Sequence, residues 1–222
     1  LTPPKLDDTI LTEHSVSARG GRVAVTKRAA ILHAATHAFA TKGLRETSTT
    51  DLAAMTGVAE GTVFYHFGSK ENLFLAVLDH VRRELEREFN EYLETERPAS
   101  GLAVLEETVA FYLRLAEDKE ELFLLLHRSD AYELARADER FRVELEKIFN
   151  CLVGVFEAAL TKGQGDGSIR RGLEPRRMAL LIFNMVDGLV RLRDCGLYEP
   201  GVMSPEVLQA CRQLVARNDR ME

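Results

Sequence analysis

Ser48-Thr49-Thr50-Asp51-Leu52-Ala53-Ala54-Met55-Thr56-Gly57-Val58-Ala59-Glu60-Gly61-Thr62-Val63-Phe64-Tyr65-His66-Phe67-Gly68-Ser69-Lys70 is the stretch whose punctuation decides the fold. Ser48 and Asp51 stand three apart, as in a capping box with Asp in place of Glu, so a short helix is expected from Thr49 to Met55. Gly57 ends it. A second short helix opens near Ala59 and runs through His66, until Gly68-Ser69 breaks the chain. Ser69 is a good N-cap for a long helix from Lys70 to about Glu96, some 40 Å at 1.5 Å per residue. Pro98 stops that helix. Upstream, a helix from about Thr26 to Lys42 places Ile31, Ala35, Ala38 and Phe39 on one face, with Gly43 where a left-handed C-cap is wanted. A longer helix followed by two short ones around a glycine turn is the layout of a helix-turn-helix.

Beyond this core the helical period continues and strand-like alternation is absent, so the fold class is all-α. Further helices are expected at about 101–118, 120–135, 138–162, 174–195 and 204–217. Pro175 and Pro205 fall where helix starts tolerate proline. Lys162 to Gly172 reads as the glycine-rich connection. Within it, Gly163-Gln164-Gly165-Asp166-Gly167 has the glycine density of a phosphate-binding loop. No strand precedes it and no Gly-Lys-Ser/Thr follows, so a flexible connector is expected. Residues 1–24, with Pro3, Pro4, Gly20 and Gly21 and no sustained period, read as a mobile arm.

Hydrophobic residues make up 45% of the chain, enough for a sizeable core, and the net charge is −6. That charge is unevenly spread. Between Arg19 and Lys70, seven basic residues (Arg19, Arg22, Lys27, Arg28, Lys42, Arg45, Lys70) meet three acids (Glu46, Asp51, Glu60), a net +4 that leaves −10 on the remainder. Such asymmetry localises any polyanion contact to the front of the chain. No apolar run nears the roughly 18 residues of a membrane span, and no secretion signal is visible, so no membrane partner is expected. Cys151, Cys195 and Cys211 are odd in number and sit in helical patterns, which fits reduced thiols in a cytoplasm. His33 and His37 have a spacing that can bind zinc, but no third ligand suggests itself; they read as solvated, and no metal or cofactor is expected.

A reading helix must enter a major groove about 12 Å wide with one side and pack with the other. In the second short helix Val63 and Phe67, four apart, can pack inward. Thr62, Tyr65 and His66 then face outward, with hydrogen-bonding groups suited to phosphates and base edges. The pattern alone equally admits a structural corner that touches no DNA.

Ile31-Leu32-His33-Ala34-Ala35, Phe39-Ala40-Thr41-Lys42-Gly43, Thr50-Asp51-Leu52-Ala53 and the run from Gly57 to Leu73 occur in order and without gaps. This series resembles the TetR family of bacterial repressors. The resemblance implies a DNA-binding transcriptional regulator, released from a pseudopalindromic operator by a small hydrophobic or amphipathic effector. By the same resemblance Ser48, Thr49 and Thr50 match the start of a helix that contacts phosphates. Gly61 and Thr62 match the front of the recognition helix, Tyr65 and His66 the pair that meets bases and backbone, and Lys70 a lysine that holds a phosphate. With Lys27 and Phe64 these make up the candidate DNA-binding set. The chain departs from the family pattern at several places. Ala59 replaces a capping Ser or Thr, Phe64 stands where Tyr is frequent, and His33 and His37 stand where acids are frequent. Glu60 puts an acid near the groove, where it repels phosphate unless it accepts a hydrogen bond from cytosine.

The resemblance also implies a three-helix DNA-binding domain at 25–72 and a helical effector-binding and dimerisation domain at 73–222. Phe111, Leu115, Phe123, Leu126, His127, Phe149, Phe183 and Met185 are then candidates to line an effector pocket, although their apolar members also read as ordinary core. Leu180, Asp187, Gly188, Arg191, Leu208, Cys211 and Leu214 are candidates for a homodimer interface, with packing on the body as the plainer alternative. An enzyme is not expected, since no paired carboxylates, metal cluster or activated nucleophile are visible. The alternative is a helical interaction module that uses the helix-turn-helix without DNA.

Overall fold

The computed structural model describes residues 26–95, 98–197 and 204–216. The expected arm at 1–24, with Arg19 and Arg22, lies outside the described residues. Those described form ten helices and no strand: α1 (Lys27–Thr41), α2 (Thr49–Thr56), α3 (Glu60–Phe67), α4 (Lys70–Thr95), α5 (Gly101–Asp118), α6 (Glu120–His127), α7 (Ser129–Ala137), α8 (Glu139–Asp166), α9 (Pro175–Asp194) and α10 (Ser204–Val215). None of them is long and apolar enough to cross a membrane. They divide into two compact units, one ending at Val77 and the other beginning at Leu78; the family resemblance implies a boundary between residues 72 and 73.

Caps and glycines fix the first unit. The Thr26 hydroxyl accepts from Ala29 N at 3.2 Å. Gly43, at φ +91°, turns the chain out of α1 while its N–H reaches the Phe39 carbonyl at 3.1 Å. Ser48 caps α2 by accepting from Asp51 N at 3.0 Å, and left-handed Gly57 ends that helix. Ser69 caps α4 through Asn72 N at 3.0 Å. Each cap satisfies an amide that the first helical turn leaves bare. α2 packs on both α1 and α3, and Ile31, Phe39, Leu52, Val63 and Phe74 form the buried centre. Phe39 and Phe74 meet edge to face at 5.3 Å, and the Arg28 guanidinium lies 5.0 Å from the Phe67 ring centroid.

In the second unit α8 packs on α5, α7 and α9. Fully buried Tyr112 of α5 sits among Phe123, Phe156 and Phe183, with ring centroids 5.4–6.0 Å away. Two helices differ from the sequence expectation. The single helix expected at 120–135 is broken at Arg128, whose φ −71°, ψ 145° is extended. His127, just before the break, is drawn into a polar cluster with α9, and α7 restarts with Asp130 in its first turn, where the helix dipole favours an acid.

The helix expected to stop near Lys162 instead runs to Asp166, through Gly163 and Gly165. Gly163 is therefore no flexible connector but part of a tight crossing. A Cβ on Gly101 would lie 2.0 Å from the Gly163 nitrogen, and one on Gly163 would lie 2.5 Å from Ile169 Cδ1. Across this contact Asp166 accepts from Gly101 N at 2.6 Å and Ser168 from Leu102 N at 3.0 Å. The end of α8 thus caps the start of α5.

Gly101→Ala has to push two backbones apart and should lose about 1–3 kcal/mol of stability in urea unfolding. Gly165→Ala, in α8 and with nothing within 4 Å of its Cβ, should gain about 0.5–1 kcal/mol. Equal responses at the two positions would contradict the close crossing.

Candidate functional site

In the first unit α3 has two dissimilar edges. Val63 and Phe67 are buried, whereas Tyr65 is 84% and Phe64 46% exposed. Thr62 and His66 are half-buried, and Gly61 is exposed. The Tyr65 and His66 rings meet edge to face at 5.2 Å. Ala59 supplies no side-chain cap to α3. Ser48 and Thr50 are exposed at the start of α2, Thr49 is half-buried there, and Lys27 is exposed at the start of α1.

Two polar contacts within this unit were not readable from spacing. Glu60 Oε1 accepts from the Thr49 hydroxyl at 2.6 Å and from the Thr50 hydroxyl at 3.1 Å, tying α3 to α2. A hydroxyl carries one hydrogen, so both threonines, for which the resemblance implied phosphate, donate within the protein. Lys70 Nζ donates to the Thr47 carbonyl at 3.1 Å, leaving its other ammonium hydrogens for an outside acceptor.

The second unit holds a solvent-open cavity of about 430 Å³, lined by Tyr132, Phe149, Val153, Leu180 and Phe183, with Asn184, Asp187 and Arg191 as its polar groups. This lies within the roughly 300–1,000 Å³ usual for small-molecule sites. The α9 members, at 180, 183, 184, 187 and 191, make one helical face. Of the residues expected around a pocket, Phe149 and Phe183 line it. Leu115, Phe123 and Leu126 are buried in the core, Phe111 stacks on Tyr92 at 4.1 Å, and half-buried Met185 is not among the lining residues. Leu180, Asp187 and Arg191, candidates for a dimer face, also line the cavity. Cys211 is also turned inward and fully buried, so it is withdrawn from that face; Gly188 and Leu208 are half-buried and Leu214 is exposed. Tyr132, Val153 and Asn184 went unnoticed in the sequence, although the α9 spacing carried a signal for Asn184.

Behind the cavity lies a buried charge cluster. His127 places Nε2 3.0 Å from Asp187 Oδ1 and Nδ1 2.7 Å from Asp194 Oδ2. Ionised carboxylates only accept, so the imidazolium is the form that makes both bonds. Tyr112 OH donates to Asp187 Oδ1 at 2.7 Å. Arg193 pairs with Asp194 at 2.9 Å, and Arg191 lies 3.7 Å from Asp187 Oδ2. Burial opposes the charged imidazole, but the hydrogen bonds and charges of Asp187 and Asp194 outweigh it and raise the His127 pKa above 6.5. For Asp187 burial likewise opposes charge, yet His127, Tyr112 and Arg191 hold its pKa below the ordinary value. Among the described residues no three His, Cys, Asp or Glu side chains converge as metal ligands.

A histidine pKa raised on folding stabilises the protein fully below about pH 6.5, and that contribution fades as pH climbs through the folded value. The stability gap between wild type and His127→Gln should therefore be widest at acid pH, on the order of 3–5 kcal/mol for a broken buried pair. It should narrow as pH rises above about 6.5; urea titrations giving a constant gap would mean a neutral ring.

Residues 31–77 match the profile of the bacterial regulatory proteins of the tetR family. The chain is 34% identical over 180 residues to the HTH-type transcriptional repressor KstR2 of Rhodococcus jostii, covering 78% of this chain and 77% of that protein. It is 37% identical over 113 residues to an HTH-type transcriptional repressor of Mycobacterium tuberculosis, covering 51% of this chain and 52% of the relative, so that match spans about half that protein's length. A crystal structure of the regulator FadR of Bacillus subtilis in complex with stearoyl-CoA shares the fold, with a TM-score of 0.66 at 22% identity over 82% of this chain and 96% of that one.

Proposed function

This chain belongs to the tetR family of bacterial regulatory proteins, and we propose that it is a homodimeric repressor, released from a pseudopalindromic DNA operator by a small hydrophobic or amphipathic effector. The observation that carries this reading is the division of α3 into a packed edge, Val63 and Phe67, and a bare one led by Tyr65. Packing within the first unit gives no account of why Tyr65 and Phe64 stand in water. A duplex does: a phenol meets phosphate or base edges, and an apolar ring meets the thymine methyl. Gly61 supports the same partner. Glycine inside a helix costs about 1 kcal/mol against alanine, and no neighbour lies within 4 Å of a Cβ placed there. Close approach of DNA supplies the missing reason.

Two copies pair along the outward row of α9, Leu181, Gly188 and Leu192, with Leu214 of α10 added. Leu181 is 60% exposed in the single chain, and Gly188 permits close helix approach. The two α3 helices then enter successive major grooves about 34–36 Å apart. The aromatic-walled cavity takes the effector, and the stearoyl-CoA held by FadR supports an amphipathic one. Occupancy favours a dimer whose α3 spacing no longer matches the operator; a coupling of about 1–3 kcal/mol suffices. α4, whose residues belong to both units, is the covalent link that carries it. The protein works in the cytoplasm, where its DNA lies.

Tyr65→Ala should weaken binding to the DNA flanking the protein's own gene by about tenfold or more, with helicity and sedimentation unchanged. Binding should also fall steeply between low and moderate salt; a flat salt response, or full affinity in Tyr65→Ala combined with Thr62→Ala, would remove the proposed reading helix. Gly61→Ala should raise the unfolding midpoint, consistent with about 0.5–1 kcal/mol, and yet lower DNA affinity. If affinity is untouched, DNA does not approach there.

A further inference from the structure

Glu60 opens α3, is exposed, and is nevertheless tethered. Its Oε1 accepts from Thr49 Oγ1 at 2.6 Å and from Thr50 Oγ1 at 3.1 Å. Two bonds from a neighbouring helix deny this carboxylate the rotamer freedom of an ordinary surface glutamate. They also use the single hydrogen of each threonine hydroxyl. In this arrangement Thr49 and Thr50 have nothing to donate to a phosphate oxygen, which only accepts.

The remaining oxygen, Oε2, has no hydrogen-bond partner among the described residues and is aimed by the tether on Oε1. A fixed anionic acceptor at the front of a reading helix is repelled by phosphates, by guanine N7 and O6, and by thymine O4. In the major groove only the amino hydrogens of cytosine N4 and adenine N6 attract it. Adenine sets its N7 lone pair beside that amino group, where the carboxylate is repelled again. Cytosine sets an apolar C–H there. On the strength of the DNA-binding reading above, we propose that Glu60 is a specificity-determining residue that selects cytosine in each half-site, with Thr49 and Thr50 as the positioning residues that aim it.

The test is selection from a duplex library with a randomised central segment, using the full chain. Wild type should recover a two-fold symmetric site with cytosine fixed at one position of each half. In Glu60→Ala the preference there should fall about tenfold, while the other positions keep theirs. Glu60→Gln should move the same position from cytosine to adenine, which an amide pairs through N6 and N7. Thr49→Val with Thr50→Val should weaken the cytosine preference by less than Glu60→Ala does; full retention would remove the positioning role. Helicity of each variant checks that it is folded. If folded Glu60→Ala recovers the wild-type site at every position, even with a uniform loss of affinity, Glu60 is only a staple between helices and the proposal is overturned. It is overturned too if no position of the wild-type site requires cytosine. Should wild type enrich no sequence at all, the DNA-binding reading fails first and the role of Glu60 falls with it.

Discussion

Everything at the front of this molecule depends on how eight residues are anchored. α3 is too short to hold its shape by helix propensity alone, so its register is imposed by Val63 and Phe67, which bury one edge in the first unit. With those two inside, the 3.6-residue period leaves Tyr65 no place but outside and Thr62 at the margin. The rest of the unit serves that anchoring. Ser48 and Gly57 bound α2, on which α3 rests. Glu60 bonds back to Thr49 and Thr50, and Arg28 covers the Phe67 ring from α1.

The second unit is organised around a different constraint. Charged groups withdrawn from water have to be paired, because an isolated buried charge is costly. His127 between Asp187 and Asp194, with Tyr112 and Arg193 completing the set, meets that demand. It also fixes α6 to α9 at the rim of the cavity that Asp187 and Arg191 help to line. Tyr132, Phe149 and Phe183 wall the same cavity with aromatic rings. The cluster therefore joins the packing of α6 on α9 to the wall of the cavity.

Local punctuation was the legible part of the sequence. Ser48, Gly57, Gly68, Ser69 and Pro98 marked helix ends close to where they occur, because caps and left-handed glycines act over three or four residues. Tertiary reasons were not legible. The chain breaks at Arg128 within an otherwise helical pattern, since His127 answers to carboxylates 60 and 67 residues away. Gly163 looked like a hinge because its partner, Gly101, is remote in sequence. For Asp187 and Cys211 interface and interior stayed open, because the helical period alone does not tell a core from an interface; both are buried within the chain. On the candidate DNA face Tyr65 is exposed as its spacing implied, whereas Thr62 and His66, expected to face outward beside it, are half-buried. The hydrogen-bond commitments of Thr49, Thr50 and Lys70 emerged only from the folded chain.

The central claim is that the bare edge of α3 lies against a duplex. Oxidative footprinting of the intact chain, with and without a duplex recovered from its own upstream DNA, tests it most directly. Oxidation of Tyr65 should fall sharply when the duplex is added, while an exposed residue of the other unit, Leu197, reacts as before. Equal labelling of Tyr65 in both samples, with the duplex shown to be bound, would place the DNA elsewhere and contradict the account.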